Sequence, residues 1–435
     1  MEQVYVSYLE PLYRRYQNCK NKEVIFLVPL VVVTLSKIMW NLYRMLSSGK
    51  GLPHCDDSIW YLQYANTFVA NIKDGLDIND VLYFGYNLLL TVLLAMFQDP
   101  LAIVFIQAIA AGLSVILVYR ISLILFTRAT AIMASIFYCL TYDVALWTQY
   151  ILSDSFFVSL LLLDVYLLLM ALNSEMKSYK VLFTITSLYI LVFRPTGLLC
   201  LAAIVLYLII QKPGQIMALL RRYRFVIGTA ASVVMIGGIY LYTTQALDPF
   251  IYSLQFNAKK VLYNVYAKGW IYDKPTAYDY FYRPNYTIDI WNSLVVSFIV
   301  NNWDHISVLY IRRAIAFLGT WVWQTDIKSL TGIITLSSQL LPTALFFIGT
   351  IAAVRNGLFR KTSILWLLIA ASFIFCVLIF IDAMYRYKFP AMPFIAMVAA
   401  YGAEIILVWA YQSSRKLTEM LGYDHRENPD RNPGF

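Results

Sequence analysis

Four separated stretches of this chain carry ionisable residues at the edges of apolar runs: His54-Cys55-Asp56-Asp57; Asp143, Trp147 and Ser153-Asp154; Arg194-Pro195; and Asp382 with Arg386-Tyr387-Lys388. Their chemistry is complementary. A carboxylate can take a proton from an attacking hydroxyl while arginines stabilise a departing phosphate, since the planar guanidinium fork matches phosphate oxygens. An ionisable group in or beside a membrane-type run is a functional-site candidate by default. Each also has a structural reading. Asp56 or Asp57 can cap a helix starting near Ser58, Asp154 can cap the run that follows it, and Arg194 and Arg386 can snorkel to lipid headgroups. Asp164 and Glu404 lie inside runs and receive no role.

The elements that must position these groups are membrane helices. Of 435 residues, 60% are hydrophobic and 14% charged, against roughly 45–50% and roughly 25% in soluble domains. Apolar runs lie near 24–46, 101–120, 128–147, 155–172, 179–193, 195–211, 224–247, 331–354, 362–381 and 388–411. This predicts an all-α polytopic membrane protein of about ten transmembrane helices. Basic clusters set its orientation: Arg14/Arg15/Lys20/Lys22, Arg120/Arg128, Lys177/Lys180, Lys212/Arg221/Arg222/Arg224, Arg355/Arg360/Lys361 and Arg415/Lys416 all belong inside. Ten crossings satisfy every cluster, with both termini cytoplasmic and the four ionisable stretches on the outer face.

Two further apolar stretches are expected not to cross. Counting 81–97 would reverse every later loop, so it is a juxtamembrane helix. The stretch 306–323 holds Arg312 and Arg313 near its centre, each costing roughly 2.5–3.5 kcal/mol at mid-bilayer; an interfacial helix with snorkelling arginines is cheaper. The expected organisation is a cytoplasmic N-terminus (1–23), a transmembrane module (24–247) with a first outer loop (47–100), an aromatic-rich outer region (248–330), C-terminal transmembrane helices (331–411) and a cytoplasmic tail (412–435). The net charge of +9 is accounted for by these topology clusters and calls for no nucleic acid. Five cysteines without paired spacing suggest neither a disulfide framework nor a zinc site.

Between Tyr252 and Trp291, Tyr263, Tyr266, Trp270, Tyr272, Tyr278, Tyr280, Tyr282 and Tyr286 alternate with Lys259, Lys260, Lys268 and Arg283. Such rings suit a saccharide or the headgroup belt common to membrane proteins. Asn285-Tyr286-Thr287 is formally a glycosylation sequon.

The order of features resembles the GT-C-fold, polyprenyl-phosphate-sugar-dependent glycosyltransferases, in particular those related to protein O-mannosyltransferases and aminoarabinose transferases. It rests on the acidic pair after the first run, Gly85-Tyr86, Leu152-Ser153-Asp154, Phe193-Arg194-Pro195-Thr196-Gly197, and Arg386-Tyr387 with Pro390 and Pro393, and spans roughly residues 50 to 411. The resemblance implies a GT-C-like bundle with juxtamembrane helices in its outer loops, a polyprenyl-phosphate sugar donor, and transfer with inversion outside the cytoplasm. Carried over, Asp56, with Asp57 close behind, is the general base. Asp154 orients the acceptor or a cation, and Arg194, Arg386 and Lys388 hold the lipid phosphate. Tyr86, Trp147 and Trp270 are the sugar-stacking candidates. The double proline of many relatives is absent at Tyr86-Asn87 and no second acidic pair occurs, so no cofactor is assigned and a divalent cation is left open.

No P-loop or Rossmann glycine pattern is present, as suits a donor whose energy lies in its lipid-phosphate bond. The rivals are a transporter or flippase of lipid-linked saccharide, which would set its charges near the midplane in repeated halves, and a polymerase or ligase using a diphosphate-linked donor. The acceptor is a glycolipid, a polysaccharide or a protein. The expected location is a plasma membrane, with the endoplasmic reticulum as the alternative.

Overall fold

A computed structural model describes residues 23–49, 51–74, 78–246, 248–260, 262, 269, 271, 282–319, 322, 327–379 and 384–420. Among these residues the regular structure is helical, with no strand. The long elements are α1 (Val24–Ser47), α2 (Asp56–Asn66), α3 (Phe84–Phe97), α4 (Pro100–Leu125), α5 (Arg128–Leu140), α6 (Tyr142–Trp147), α7 (Ser153–Asn173), α8 (Lys177–Phe193), α9 (Thr196–Gln211), α10 (Arg224–Thr243), α11 (Leu294–Asn301), α12 (Trp303–Ala316), α13 (Leu330–Arg355), α14 (Ile364–Ile374) and α15 (Met392–Met420). The fold is that of a polytopic all-α membrane protein.

The span count corrects the expectation of ten. Among the described residues six helices are long and apolar enough to cross: α1, α4, α7, α10, α13 and the stretch Arg386–Lys416. A seventh is added if the pair α11 and α12, bent by 82°, is one span. The other apolar runs are also helical but broken early. α5 stops after 13 residues, about 20 Å at 1.5 Å per residue, short of the roughly 30 Å hydrocarbon core. α8 and α9, of 17 and 16 residues, are separated by Arg194-Pro195, and α14 passes into a π-helical turn, Phe375–Ile379. An apolar run in sequence therefore overstates helix length wherever a turn lies inside it. α3 has only 14 residues and is likewise short of a full crossing.

Helix ends follow local chemistry. Asp99 accepts from the Leu101 amide with Pro100 in the first turn of α4, and Thr127 and Ser329 cap α5 and α13 through Thr130 N and Gly332 N, each occupying a backbone donor that the helix cannot satisfy itself. Packing between spans depends on close backbone approach, since lipid is as apolar as leucine. α13 and α15 cross at Gly349 and Gly402, where a Cβ would overlap the carbonyls of Val398 and Leu345 respectively. The main core gathers buried residues of α1, α3, α4, α7, α8, α9, α14 and α15.

Arg313 corrects a second expectation. Instead of snorkelling, it is fully buried and donates from Nη2 to the Cys376 carbonyl at 3.2 Å. That carbonyl lies in the π-helical turn, where the regular helical bonding pattern is interrupted. The arginine is thus held by protein and does not reach for headgroups.

Candidate active site

The helix carrying the first acidic pair begins at Asp56 itself, with Cys55 in the cap position. Neither aspartate is therefore the cap; both lie in the first turn, where the helix dipole favours negative charge. Asp154 is the second residue of α7, with Leu152 in the cap position. Arg194 sits in extended conformation (φ −161°, ψ 148°) between α8 and α9. The chain reverses tightly there: Gly197 N donates to the Arg194 carbonyl at 2.8 Å, and a Cβ on Gly197 would overlap the Ile190 carbonyl. Arg386 lies in the short helix Met384–Lys388 that precedes α15.

These four elements bring Asp57, Asp154, Arg194 and Arg386 into one alternating chain of charges. Arg194 Nη1 donates to Asp154 Oδ1, Arg386 Nε donates to Asp154 Oδ2 at 2.7 Å, and Arg386 Nη1 donates to Asp57 Oδ2. Burial grades along it: the Asp154 and Arg194 side chains are 0% exposed, Arg386 9% and Asp57 52%. The snorkelling and capping readings fall away, because both arginines are inside protein and bound to carboxylates.

The pairing leaves donors over. Arg194 Nε and Nη2, Arg386 Nη2 and the Thr196 hydroxyl are buried without a hydrogen-bond partner among the described residues. Arg194 also lies over the Tyr387 ring at 4.8 Å and the Phe157 ring at 5.9 Å, so its guanidinium plane is fixed by aromatic faces. A wall of aromatic residues flanks the acids. Tyr61 meets Tyr86 edge-on at 4.7 Å and Tyr83 at 5.6 Å. Burial, ahead of the neighbouring phenols and charges, pushes the Tyr61 and Tyr83 hydroxyls above the usual phenol range. They therefore stay protonated donors at neutral pH, and the exposed carboxylate is the better base.

Several expected members stand elsewhere. Asp56 is exposed and Asp57, not Asp56, accepts from Arg386. Both oxygens of Asp154 accept from guanidinium groups, Oδ1 from Arg194 and Oδ2 from Arg386. Lys388 donates to the Phe317 carbonyl and lies over that ring at 4.9 Å. Tyr86 is wholly buried between Tyr61 and Phe193, so no ring face is open for a sugar. Trp147 is partly buried and packs against Tyr150 at 5.9 Å. Trp270 and Asp382 lie outside the described residues, as does most of the aromatic stretch. Of its described members, Tyr282 stacks on His305 at 3.9 Å and Tyr286 packs on Phe298.

The sequence does not single out Tyr83, and Thr196 and Tyr387 enter only within the motifs around Arg194 and Arg386, without a role of their own. Among the described residues no group of three or more His, Cys, Asp or Glu side chains is placed to hold a metal ion.

No curated protein and no solved structure matches the chain. Residues 82–241 match the model of the family described as dolichyl-phosphate-mannose-protein mannosyltransferase. That segment contributes Asp154 and Arg194 to the charge chain, while Asp57 and Arg386 come from outside it. Over residues 82–241 the chain thus carries a GT-C family domain, that of a membrane glycosyltransferase of the GT-C type.

Proposed function

We propose that this protein transfers a sugar from a polyprenyl-phosphate carrier to a hydroxyl acceptor on the non-cytoplasmic face, with inversion at the anomeric carbon. The observation that carries the proposal is the set of buried guanidinium donors, on Arg194 and Arg386, left over once Asp57 and Asp154 are paired. A lipid phosphate supplies the acceptor oxygens such donors need, and desolvated guanidinium groups stabilise charge better than solvated ones.

In this mechanism the acceptor oxygen attacks the anomeric carbon as its proton passes to Asp57. The bond from that carbon to the phosphate oxygen breaks, and the electron pair leaves with the phosphate, whose charge Arg194 and Arg386 neutralise. Asp57 suits the base because its carboxylate is half-exposed and thus open to an acceptor. Arg386 links base and leaving group, since one guanidinium touches Asp57 and also carries a spare donor. Asp154 holds both arginines in register. The basic clusters at the opposite ends of the runs support the non-cytoplasmic placement, with both termini cytoplasmic in a plasma membrane.

The test is transfer of label from polyprenyl-phosphate sugars in membranes containing the protein. Product formation that Asp57→Asn abolishes and Asp56→Asn spares is expected. Full activity of both variants ends the assignment of the base. Movement of the labelled carrier across vesicles without covalent product ends the transferase proposal.

A further inference from the structure

The mechanism leaves unused a groove of about 390 Å³ between α5 and α6 on one side and α13 and α15 on the other. Its walls are apolar, from Phe137, Leu341, Leu345, Ile395, Ala396 and Ala399, and one end carries Thr141, Tyr142 and Asp143. Leu140 and Leu341 are exposed on the bundle surface, and α13 and Arg386–Lys416 are both candidate spans. The groove therefore opens sideways between membrane helices, where the available occupants are lipids.

Its polar end distinguishes among lipids. Asp143 is the single charged residue in the lining and makes no hydrogen bond with a described residue. Two lysines close to this end also bond backbone: Lys37 Nζ donates to the Cys139 and Thr141 carbonyls, and Lys388 Nζ to that of Phe317. A carboxylate at the head of an apolar slot repels a lipid phosphate and accepts an O–H. Lys388 interacts electrostatically with Asp143 and is two residues from Arg386, while Met392, one turn further on, lines the groove. The acid-headed end thus adjoins the segment that bears the charge chain.

A second groove, of about 420 Å³, differs in kind. It runs between α3, α4, α7 and α8, is lined by residues such as Leu113, Leu117, Leu160 and Phe193, and has no charged residue in its lining. Its lining includes Phe193, the residue before Arg194, as suits the chain of a lipid whose phosphate sits at that arginine.

We infer that the acid-headed groove binds the acceptor, and that the acceptor is a membrane lipid whose headgroup presents a free hydroxyl. This rests on the transferase proposal above, and names the substrate class for its second substrate. The apolar walls hold an acyl chain and Asp143 receives the headgroup O–H in a docking position beside the Arg386 segment, from which the hydroxyl passes to Asp57 for transfer.

The experiment is photocrosslinking of the full-length protein in phosphatidylcholine proteoliposomes, doped with diazirine-bearing diacylglycerol, phosphatidic acid or phosphatidylcholine of identical chains, with labelled peptides mapped by mass spectrometry. Diacylglycerol is expected to label peptides holding Leu341–Leu345 and Ile395–Ala399 about tenfold more than either other probe, the ratio that a hydrogen bond to a charged group supplies. Asp143→Leu should erase that preference while leaving chain labelling, and Ala399→Trp should erase labelling. Competition by unlabelled diacylglycerol on the unmodified protein provides the same readout should a variant fail to fold. Equal labelling by all three probes means bulk lipid fills the groove, and a preference for phosphatidic acid means a phosphate lipid does; either overturns the inference. Crosslinking needs no turnover, so selective labelling without sugar transfer sinks the transferase proposal alone, and sugar transfer to a water-soluble acceptor without selective labelling sinks the groove alone.

Discussion

Arg386 and Asp154, 232 positions apart, are joined by a 2.7 Å hydrogen bond from Nε to Oδ2, and the other oxygen of the same carboxylate binds Arg194. One buried acid thus orders two arginines from different helices. Arg386 then extends to Asp57, so the chain of charges runs from the protein interior to a half-exposed carboxylate.

Removing the central acid is expected to destabilise the protein. Asp154→Ala leaves the buried Arg194 guanidinium unpaired and Arg386 with Asp57 alone, a loss of about 3–5 kcal/mol for breaking a buried ion pair. Thermal unfolding in detergent measures it. A midpoint equal to that of the unmodified protein would show that Asp154 does not clamp the arginines.

The two adjacent aspartates should separate sharply in activity. Asp57→Asn is expected to lower kcat about 10²- to 10⁴-fold, the range for loss of a general base. Asp56→Asn, exposed and outside the charge chain, should keep kcat within about threefold of the unmodified enzyme, well under that range. Steady-state rates on labelled donor decide between them, and an equal loss in both variants would move the base away from Asp57.

Arg386→Lys retains the charge but not the fork. A lysine ammonium cannot reproduce the two directed bonds that Arg386 makes to Asp57 and Asp154. A fall of about tenfold or more in kcat/KM is expected, as the loss of one charge-assisted hydrogen bond predicts. Rescue by lysine would mean that charge alone matters at this position.

Asp143 supplies a pH dependence. Burial, opposed by Lys388, raises its carboxyl above the usual range, so the folded state holds a proton that the unfolded state releases first. Stability is therefore greatest below the unfolded pKa of about 3.9 and falls as pH rises to the raised folded value. Asp143→Asn removes this loss. Its unfolding midpoint should exceed that of the unmodified protein at pH 7–8, and the difference should shrink on acidification towards about pH 4, near the unfolded pKa. A constant difference across that range would contradict it.

Gly197→Ala tests the reversal that presents Arg194. The added methyl group meets the Ile190 carbonyl, backbone that cannot rotate away, and overpacking of this kind costs about 1–3 kcal/mol. Lower thermal stability with a raised KM for donor is expected; unchanged values for both would show that α8 and α9 can separate without moving the arginine.

Much of this protein is decided by composition and residue order. Apolar runs with charges confined to their ends can only be dissolved as helices in a bilayer, because every backbone polar group must be satisfied within its own segment. Asp57, Asp154, Arg194 and Arg386 stand out in sequence for the same reason: a charged group at the end of such a run is costly unless it is solvated or paired. Tertiary structure decided the rest. Which aspartate of an adjacent pair faces the arginines depends on the rotation of α2, and neighbours in a helix point about 100° apart. Lys388 and Arg386, two residues apart, diverge to Phe317 and to Asp154 for the same geometric reason. Span number escaped the linear reading because hydropathy registers apolar residues, whereas helix length depends on turns such as Thr141, inside the 128–147 run, that leave hydropathy almost unchanged. The burial of Tyr86 and Arg313 was likewise set by packing across helices, which no spacing along one chain encodes.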